Sequence, residues 1–474
     1  MTEEKIIKKH SQDRLGTKKI GTLLMEFSIP ATIGMLVNAL YNIVDRMFIG
    51  NAKDLQSIGL TALTVSFPIM MIMMGLALMF GAGGASLFSI KLGEKDREGA
   101  EKILGNSIAM IFITSFLFMV FALMNLEGLL TLFGASEESM PYALEYMRII
   151  LYASVLQGPS VGMNHFMRAD GSPKSAMVSM FIGAGFNIVF DYVFIFIFGW
   201  GMAGAALATI GGQGLSAIWG ISYFLTRRSN MKLRIKNLIL SPSIVGKTTL
   251  AGLPSFANQI SGSFLSLILN NRLGYYGGDV AIGGMGAINS LQTILVLPTI
   301  GISHGAQPII GYNRGAGNYH RIRETLGKAI LTASVIALTG FAITRVFPGA
   351  LIGAFGKEEA FREFGTNAIR IVMLMLPVMG VQIIGSLYFQ AVGRPKISLL
   401  LTLSRQVLLL IPTILVMANL FGLKGILMAV PISDFLAFAI TSGFLLFELR
   451  RLNGLIRAQE GDRRRKVGIE NANL

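Results

Sequence analysis

The chain has 474 residues, of which 53% are hydrophobic and only 14% are charged, and its mean hydropathy is +0.61. Soluble domains carry about a quarter charged residues, so this composition excludes a string of ordinary soluble domains and indicates a polytopic membrane protein. Because the chain contains no cysteine, disulfides and thiolate metal sites are excluded as well.

Twelve apolar stretches follow one another along the chain, and each is near or above the ~20 residues that a membrane-crossing helix needs. They predict an all-α membrane protein with twelve transmembrane helices. The first 20 residues are polar and contain no apolar run, so we expect an N-terminal tail without a cleavable signal peptide. The stretches cover residues 22–50, 60–90, 104–126, 142–166, 176–198, 203–226, 246–275, 282–312, 326–348, 364–390, 398–420 and 423–448.

The net charge of +15 is unevenly distributed. Most of the 41 Lys and Arg fall in segments that share one side of the membrane, among them the loop 227–247 and the C-terminal run 463–466. Cytoplasmic loops carry an excess of basic residues, so this distribution predicts that both termini are cytoplasmic. The basic loops do not interleave aromatic residues for base stacking, which argues against a nucleic-acid partner and leaves the lipid bilayer as the expected one.

The chain resembles itself at an offset of 222 residues, as between Gly93 and Gly315 or between Pro173 and Pro395. Each half holds an even number of predicted helices, so the halves are parallel repeats and predict two pseudo-symmetric six-helix bundles. We expect a cytoplasmic tail at 1–21, an N-lobe at 22–226, a cytoplasmic linker at 227–247, a C-lobe at 248–448 and a second cytoplasmic tail at 449–474.

A single acid, Asp191, lies inside the otherwise uncharged stretch 176–198. A carboxylate at the bilayer centre costs about 2.5 to 3.5 kcal/mol or more unless it is partnered, so such an acid indicates a functional site. Asn187 precedes it by one helical turn and shares its helix face. Asp191 and Thr209 lie equally far along the chain from Trp200, which puts both about 13 Å from one membrane surface.

A second carboxylate, Asp45, lies near the end of the first stretch, at a depth of about 9 Å by the same count. It can therefore meet Asp191 inside the first half. Two carboxylates, an amide and a hydroxyl are hard oxygen ligands, which suit a proton or a small hard cation. Two simpler interpretations stay open: Asp45 pairs only with Arg46 at the interface, or Asp191 is only a hydrogen-bond partner in packing.

Three further residues have no settled interpretation in the sequence. Pro30, in the same stretch as Asp45, predicts either a moving bend or a static kink. Glu26 and Asp434 are acids near or within apolar stretches, and neither has a visible partner. We interpret Glu26 as an interfacial charge and leave Asp434 open.

No catalytic constellation is visible, which argues against a membrane-embedded enzyme. The string 246–248 is similar to part of a phosphate loop, but Ser241 stands where the first glycine is required. The four histidines are scattered and form no metal-binding motif. We therefore expect no cofactor.

The chain resembles the multidrug and toxic compound extrusion (MATE) family over essentially its whole length, most closely its DinF-like branch. The resemblance implies a twelve-helix, two-lobe antiporter of the prokaryotic plasma membrane. Such a protein exports amphipathic, often cationic, organic compounds in exchange for H⁺ or Na⁺, and we expect it to be a monomer. The resemblance rests on Pro30, the string 41–50, the string 168–174, the pair Asn187 and Asp191, and the string 306–311.

The same resemblance implies roles for eight residues. Another branch of the family carries ion-binding acids in the C-lobe, and this chain has no convincing pair there, so we expect coupling through the N-lobe. The implied roles are a cation site, where Na⁺ is one candidate ligand, at Asp45, Asn187, Asp191 and Thr209; a drug cavity lined by Met35, Asn38 and Asn164; and a bending point at Pro30.

The nearest rival function is a flippase for lipid-linked oligosaccharides or polysaccharides, because such proteins share a repeated helical layout. A flippase of this kind is expected to offer a cationic cavity to pyrophosphate, whereas the buried charges of the first half are acidic.

Overall fold

The computed structural model describes residues 14–52, 55–356 and 358–472, and these residues form helices and no strand. Part of the predicted N-terminal tail, residues 1–13, lies outside the described residues. The helices are α1 (Ile20–Asn51), α2 (Gln56–Gly93), α3 (Arg97–Met124), α4 (Leu126–Leu132), α5 (Met140–Tyr152), α6 (Ser154–Ala169), α7 (Pro173–Tyr192), α8 (Gly201–Leu225), α9 (Pro242–Gly315), α10 (Tyr319–Val346), α11 (Pro348–Gly353), α12 (Glu359–Val372), α13 (Leu376–Ala391), α14 (Pro395–Leu403) and α15 (Ile411–Ala472).

These helices group into twelve membrane spans, as the sequence predicts. Spans 1 to 3 are α1 to α3. Span 4 is α5 with α6, span 5 is α7 with the π-helical turn Val193–Ile197, and span 6 is α8. Spans 7 and 8 are the two parts of α9, span 9 is α10, span 10 is α12 with α13, and spans 11 and 12 run from α14 to the end of α15.

Two of the connections between spans are single glycines. Gly278 (φ 62°) interrupts α9 between spans 7 and 8, and Gly422 (φ 57°) interrupts α15 between spans 11 and 12. A positive φ is readily adopted only by glycine, so these turns depend on that residue. The sequence predicted a longer connection, 276–281, between spans 7 and 8. Polar and small residues lower the hydropathy of this segment, although most of it is helical.

The spans run alternately between two ends of the molecule. One end carries the loops 94–96, 170–172, 226–241, 316–318 and 392–394, which hold basic residues, and we call it the basic end. The opposite end, where α1 finishes at Asn51, is the far end.

The linker between the lobes is anchored to the N-lobe by Asp170, in the loop after α6. Its carboxylate accepts hydrogen bonds from the Tyr223 hydroxyl (2.8 Å), the Ser229 hydroxyl (3.0 Å) and the Asn230 backbone N–H (3.0 Å). Burial raises the pKa of Asp170 to about 6, although these donors favour its charged form. The carboxylate therefore fixes the first part of the linker.

Asn106 of α3 anchors the last part of the linker. Its side-chain amide donates to the backbone carbonyls of Asn237 (3.0 Å) and Ile239 (3.2 Å), and its oxygen accepts from the Ser241 N–H (2.7 Å). The next residue, Pro242, begins α9. The linker is therefore bound to the N-lobe up to the first turn of the C-lobe.

Glycines bring the two lobes into close contact at the basic end. Gly93 in span 2 and Gly315 in span 8 are equivalent positions of the repeat. A methyl group on Gly93 would overlap the backbone carbonyl of Tyr312, and one on Gly315 would overlap the backbone carbonyl of Ile90. The two helices can cross this closely because neither position has a side chain.

Two further close contacts lie on the same half of the molecule. A methyl group on Gly252 of span 7 would overlap the Met79 carbonyl of span 2, and one on Gly305 of span 8 would lie 2.7 Å from the Ser28 backbone nitrogen of span 1. Backbones of the two lobes thus touch across the half of the molecule that is nearer the basic end.

Gly315→Ala is expected to lower the apparent melting temperature of the purified protein, because overpacking costs about 1–3 kcal/mol. Gly327→Ala is the matched control: it lies in span 9, open space surrounds the position, and alanine is the better helix former by roughly 0.5–1 kcal/mol. Equal melting temperatures for the two variants would contradict the close crossing.

Candidate functional site

Four polar side chains that the sequence singles out converge inside the N-lobe. Asp45 from α1 is 8% exposed, Asn187 and Asp191 from α7 are 2% and 0% exposed, and Thr209 from α8 is 7% exposed. The Asn187 side-chain amide donates to the Thr209 hydroxyl at 3.3 Å. The carboxyls of Asp45 and Asp191 are neighbours that interact electrostatically, and Asn187 lies beside Asp191.

The turn between spans 5 and 6 sets the depth of three of these residues. Gly199 (φ 68°) and Gly201 (φ 49°) flank Trp200, whose ring stacks on Phe194 at a centroid distance of 5.1 Å. The positive φ angles reverse the chain within three residues. The two spans then run side by side with an offset, so that Thr209, nine residues after Trp200, meets Asn187, thirteen residues before it, one helical turn from Asp191.

Most of the oxygens in this cluster lack a donor. Within the described residues, Asp45 Oδ1, Asn187 Oδ1 and both carboxylate oxygens of Asp191 are buried and make no hydrogen bond. Such groups are costly to bury alone, and two adjacent carboxylates repel each other when both are ionised. A shared proton or a hard cation relieves both penalties, so the donor set fits H⁺ or Na⁺.

The site differs from one built for a resident transition metal. In the described part of the chain, no three His, Asp or Glu side chains come together to hold a metal ion. Only two carboxylates are present, and an amide and a hydroxyl complete the set. Such a set is weaker than a dedicated metal cage and suits an ion that must leave again.

The structure does not pair Asp45 with Arg46, which was the simpler interpretation of that acid. Arg46 is exposed and acts on the Asp45 carboxyl electrostatically, but in the described part of the chain it makes no ion pair with it. The helix instead turns the carboxyl inward, toward Asp191.

Two tyrosines complete the surroundings of the site, and the sequence analysis did not assign either. Tyr146 of α5 is 2% exposed and lies next to Thr209 and both carboxyls. Tyr41 precedes Asp45 by one turn of α1 and also lies beside the two acids. Helical spacing from Asp45 could have indicated Tyr41, whereas no pattern in the sequence connects Tyr146 to this site.

The predicted cavity residues lie on two helices. Asn38 is two turns from Asp45 on the same face of α1, and Met35 lies three residues before it; both are half-buried. Asn164 of α6 is 7% exposed, and its side-chain oxygen makes no hydrogen bond among the described residues. Pro30 is buried within α1, which continues through it as a single helix.

Asp434, whose role the sequence leaves open, has a charged partner in the structure. Asp434 of span 12 is 2% exposed and forms an ion pair with Arg405 of span 11 (Oδ1 to Nε, 2.8 Å). Gln382 of span 10 donates to the Asp434 backbone carbonyl. The pairing depends on how spans 11 and 12 are rotated, which the sequence pattern does not specify. Asp434 is therefore neutralised inside the protein, unlike Asp191.

Glu26, which the sequence analysis interprets as an interfacial charge, has charged partners as well. Its carboxylate forms ion pairs with Arg14 (2.8 Å) and with Lys18. All three side chains are partly exposed at the basic end, so Glu26 is a surface charge that holds the segment before α1 against the helix.

Comparison with known proteins places this arrangement in context. A family model described as MatE matches residues 30–193 and 254–416. The Multidrug export protein MepA of Staphylococcus aureus (strain MRSA252) is 26% identical over 427 residues, which is 90% of this chain and 93% of the relative. Its counterpart in Staphylococcus haemolyticus is 25% identical over the same shares.

Solved structures share the fold. One described as the outward-facing conformation of a multidrug resistance MATE family transporter superposes with a TM-score of 0.85 at 24% identity, covering 94% of this chain and 98% of that chain. A MOP superfamily transporter from Pyrococcus furiosus superposes with a TM-score of 0.86 at 24% identity, covering 93% and 98%. At this sequence identity, the structural similarity supports the twelve-helix fold alone.

Replacing Arg405 with leucine is expected to lower the apparent melting temperature, because it leaves the buried Asp434 carboxylate unpaired, and a buried charge that loses its partner costs about 3–5 kcal/mol. Adding Asp434→Leu should restore most of the loss, since the unpaired charge is then removed.

Lys328→Leu serves as the comparison, because it breaks the part-exposed pair with Glu324 (2.7 Å), and such pairs contribute about 0–1 kcal/mol. A double variant no more stable than Arg405→Leu would show that the ion pair is not the cause.

Proposed function

The chain belongs to the MatE family, and from that premise we propose that it exports amphipathic, often cationic, organic compounds in exchange for H⁺ or Na⁺. It is a multi-pass membrane transporter and not an enzyme. The proposal extends to this chain the multidrug export for which its relatives are named.

The observation that carries the coupling is the set of buried, unpaired oxygens around Asp45 and Asp191. Without a cation, the two carboxylates face each other in a medium that solvates charge poorly. Binding of H⁺ or Na⁺ removes that repulsion and stabilises the conformation that holds the ion. A ligand shifts a conformational equilibrium only by its differential affinity for the two states, so cation and drug must favour different states.

The route of the cation follows from the packing of the lobes. Positive loops favour a cytoplasmic position for the basic end, and with it for both termini. Backbones of the two lobes touch on that side at Gly315 and Gly252, so the site is reached from the far end, which faces outward. A membrane potential adds about 2.3 kcal/mol per charge per 100 mV whenever net charge crosses.

The substrate cavity of this proposal lies in the N-lobe. Met35 supplies a flexible apolar contact, and Asn38 and Asn164 supply amides that can accept from an ammonium group. The unpaired oxygen of Asn164 supports this role. Pro30 lies in the same helix as Asp45 and removes one backbone hydrogen bond, so α1 can bend there when the carboxyl changes charge. We propose that a monomer suffices, because one lobe pair contains all these residues.

The flippase alternative is weaker. A pyrophosphate ligand calls for a group of cations in the cavity, whereas the N-lobe offers two acids and, among its described residues, the single buried cation Arg168, and Arg405 in the C-lobe is neutralised by Asp434. The curated relatives are named for multidrug export.

Asp191→Asn and Asp45→Asn are each expected to lower the initial rate of drug efflux at least about tenfold, because an amide cannot take up the coupling charge. Efflux of a fluorescent lipophilic cation from cells that express equal amounts of protein measures this rate. Asp279→Asn is the matched control, since that acid is exposed near the Gly278 turn. Near-normal efflux by both site variants would remove the two acids from coupling.

The coupling ion can be identified in proteoliposomes loaded with ethidium. An inward gradient of the coupling cation is expected to accelerate ethidium release, with H⁺ and Na⁺ gradients imposed separately, and Asp191→Asn vesicles should respond to neither. Wild-type release that ignores both gradients would contradict antiport.

A further inference from the structure

A second group of buried charges lies between the lobes, away from the acids. Arg168 and His165 belong to α6 in the N-lobe and are 5% and 6% exposed. The His165 ring meets His304 of span 8 in the C-lobe edge to face, with a centroid distance of 5.2 Å and an interplanar angle of 74°. We call Arg168, His165 and His304 the interlobe cationic cluster.

No acid neutralises this cluster in the part of the chain that the structure describes. Arg168 makes no ion pair and no side-chain hydrogen bond there, and the charged group that acts on both histidine rings is Arg168 itself. An arginine stays protonated in proteins, so its charge cannot be removed by loss of a proton. A buried charge without a counter-charge is strongly destabilising, which calls for an anion from outside the chain.

A second orphaned group points to the same conclusion. His304 Nδ1 is buried and has no hydrogen-bond partner among the described residues. A neutral imidazole can place its proton on this nitrogen and donate it to an anion. The Gln307 side chain hydrogen-bonds to His304 and its amide donates to the Ser86 hydroxyl at 2.7 Å, so Nδ1 is the nitrogen of His304 that is left without a partner in the described chain. One donor on the C-lobe is therefore free to act with Arg168 on the N-lobe.

The repeat supplies an internal comparison. Gln390 in the C-lobe is the equivalent of Arg168, and its amide is fully used: it donates to the Ala251 carbonyl (2.9 Å) and to the Ser255 hydroxyl (3.1 Å). The fold thus satisfies this position with a neutral amide in one half. In the other half it carries a cation that nothing in the described chain satisfies.

We propose that the interlobe cationic cluster binds a small monovalent anion, such as a halide or the carboxylate of a small organic acid. The anion accepts from Arg168 of one lobe and from His304 of the other, so it bridges the lobes and stabilises the arrangement in which the basic end is closed. The site is separate from the acids: Arg168 is in the last turn of α6, whereas Thr209 lies about 24 Å from the basic end of α8.

The test is the thermal stability of the purified full-length protein at fixed pH and constant Na⁺, with the sodium salt of a bulky sulfonic acid buffer replaced stepwise by sodium chloride or sodium bromide. The apparent melting temperature is expected to rise by about 2–4 °C and to saturate. Arg168→Gln should abolish the rise. Lys174→Gln, which removes an exposed positive charge at the same end, should keep it.

Two further measurements distinguish the chemical class of the anion and provide a second variant in case Arg168→Gln does not fold. Acetate and formate that stabilise as well as chloride would show that the site accepts small carboxylates as well as halides. His304→Leu should raise the halide concentration at half-maximal effect about tenfold, because it loses one hydrogen bond to a charged partner.

Two outcomes would overturn the proposal. One is a melting temperature of the wild-type protein that does not depend on the anion. The other is the same halide-dependent rise in Arg168→Gln, or in His304→Leu if Arg168→Gln does not fold. Crystals grown in bromide give an independent readout, since an anomalous peak is expected between Arg168 and His304. Neither measurement involves transport, so failure here would leave the proposed export function untouched.

Discussion

Charged groups are poorly solvated inside the membrane, and this constraint determines where the protein places its ionisable residues. Arg405 and Asp434 neutralise each other in the C-lobe at 2.8 Å. Asp45 and Asp191, by contrast, are held together with oxygens that have no donor in the described chain. The ion pair in the C-lobe needs no ion from solution. The pair of acids is stable only with an added positive charge, so it makes the conformation of the protein depend on cations in solution.

The two halves therefore share a backbone plan but not a polar interior. Gly183 and Gly212 in the N-lobe are the equivalents of Arg405 and Asp434, and a methyl group on Gly212 would overlap the Gly183 carbonyl. The same pair of spans is thus joined by bare backbone in one half and by an ion pair in the other. Close backbone contact leaves no room for a charged side chain there, and in the N-lobe the acid lies further along the helix, at Asp191.

Hydropathy and the repeat were enough to predict twelve spans in two bundles, because the length of a membrane helix is set by the bilayer. Counting residues from the turn at Trp200 predicted that Thr209 lies level with Asp191, whereas its hydroxyl bonds Asn187, one helical turn further from Trp200. Counting residues along the chain does not show how each helix is rotated about its axis. The sequence analysis therefore missed the partner of Asp434 and the position of Tyr146 beside the site. Those contacts depend on side-chain packing between helices that are distant in sequence.

The anchored linker has a mechanical consequence. Asn106 binds the chain as far as Ser241, so the only free joint between the lobes in this connection is the peptide that enters α9 at Pro242. A proline has a fixed φ and no N–H to donate, which makes this joint stiff in one torsion, while the Ser241 carbonyl accepts from the Val245 N–H in the first turn of α9 (2.9 Å). Rocking of one lobe on the other then pivots about a point on the N-lobe surface. The linker moves rigidly with the N-lobe and does not stretch.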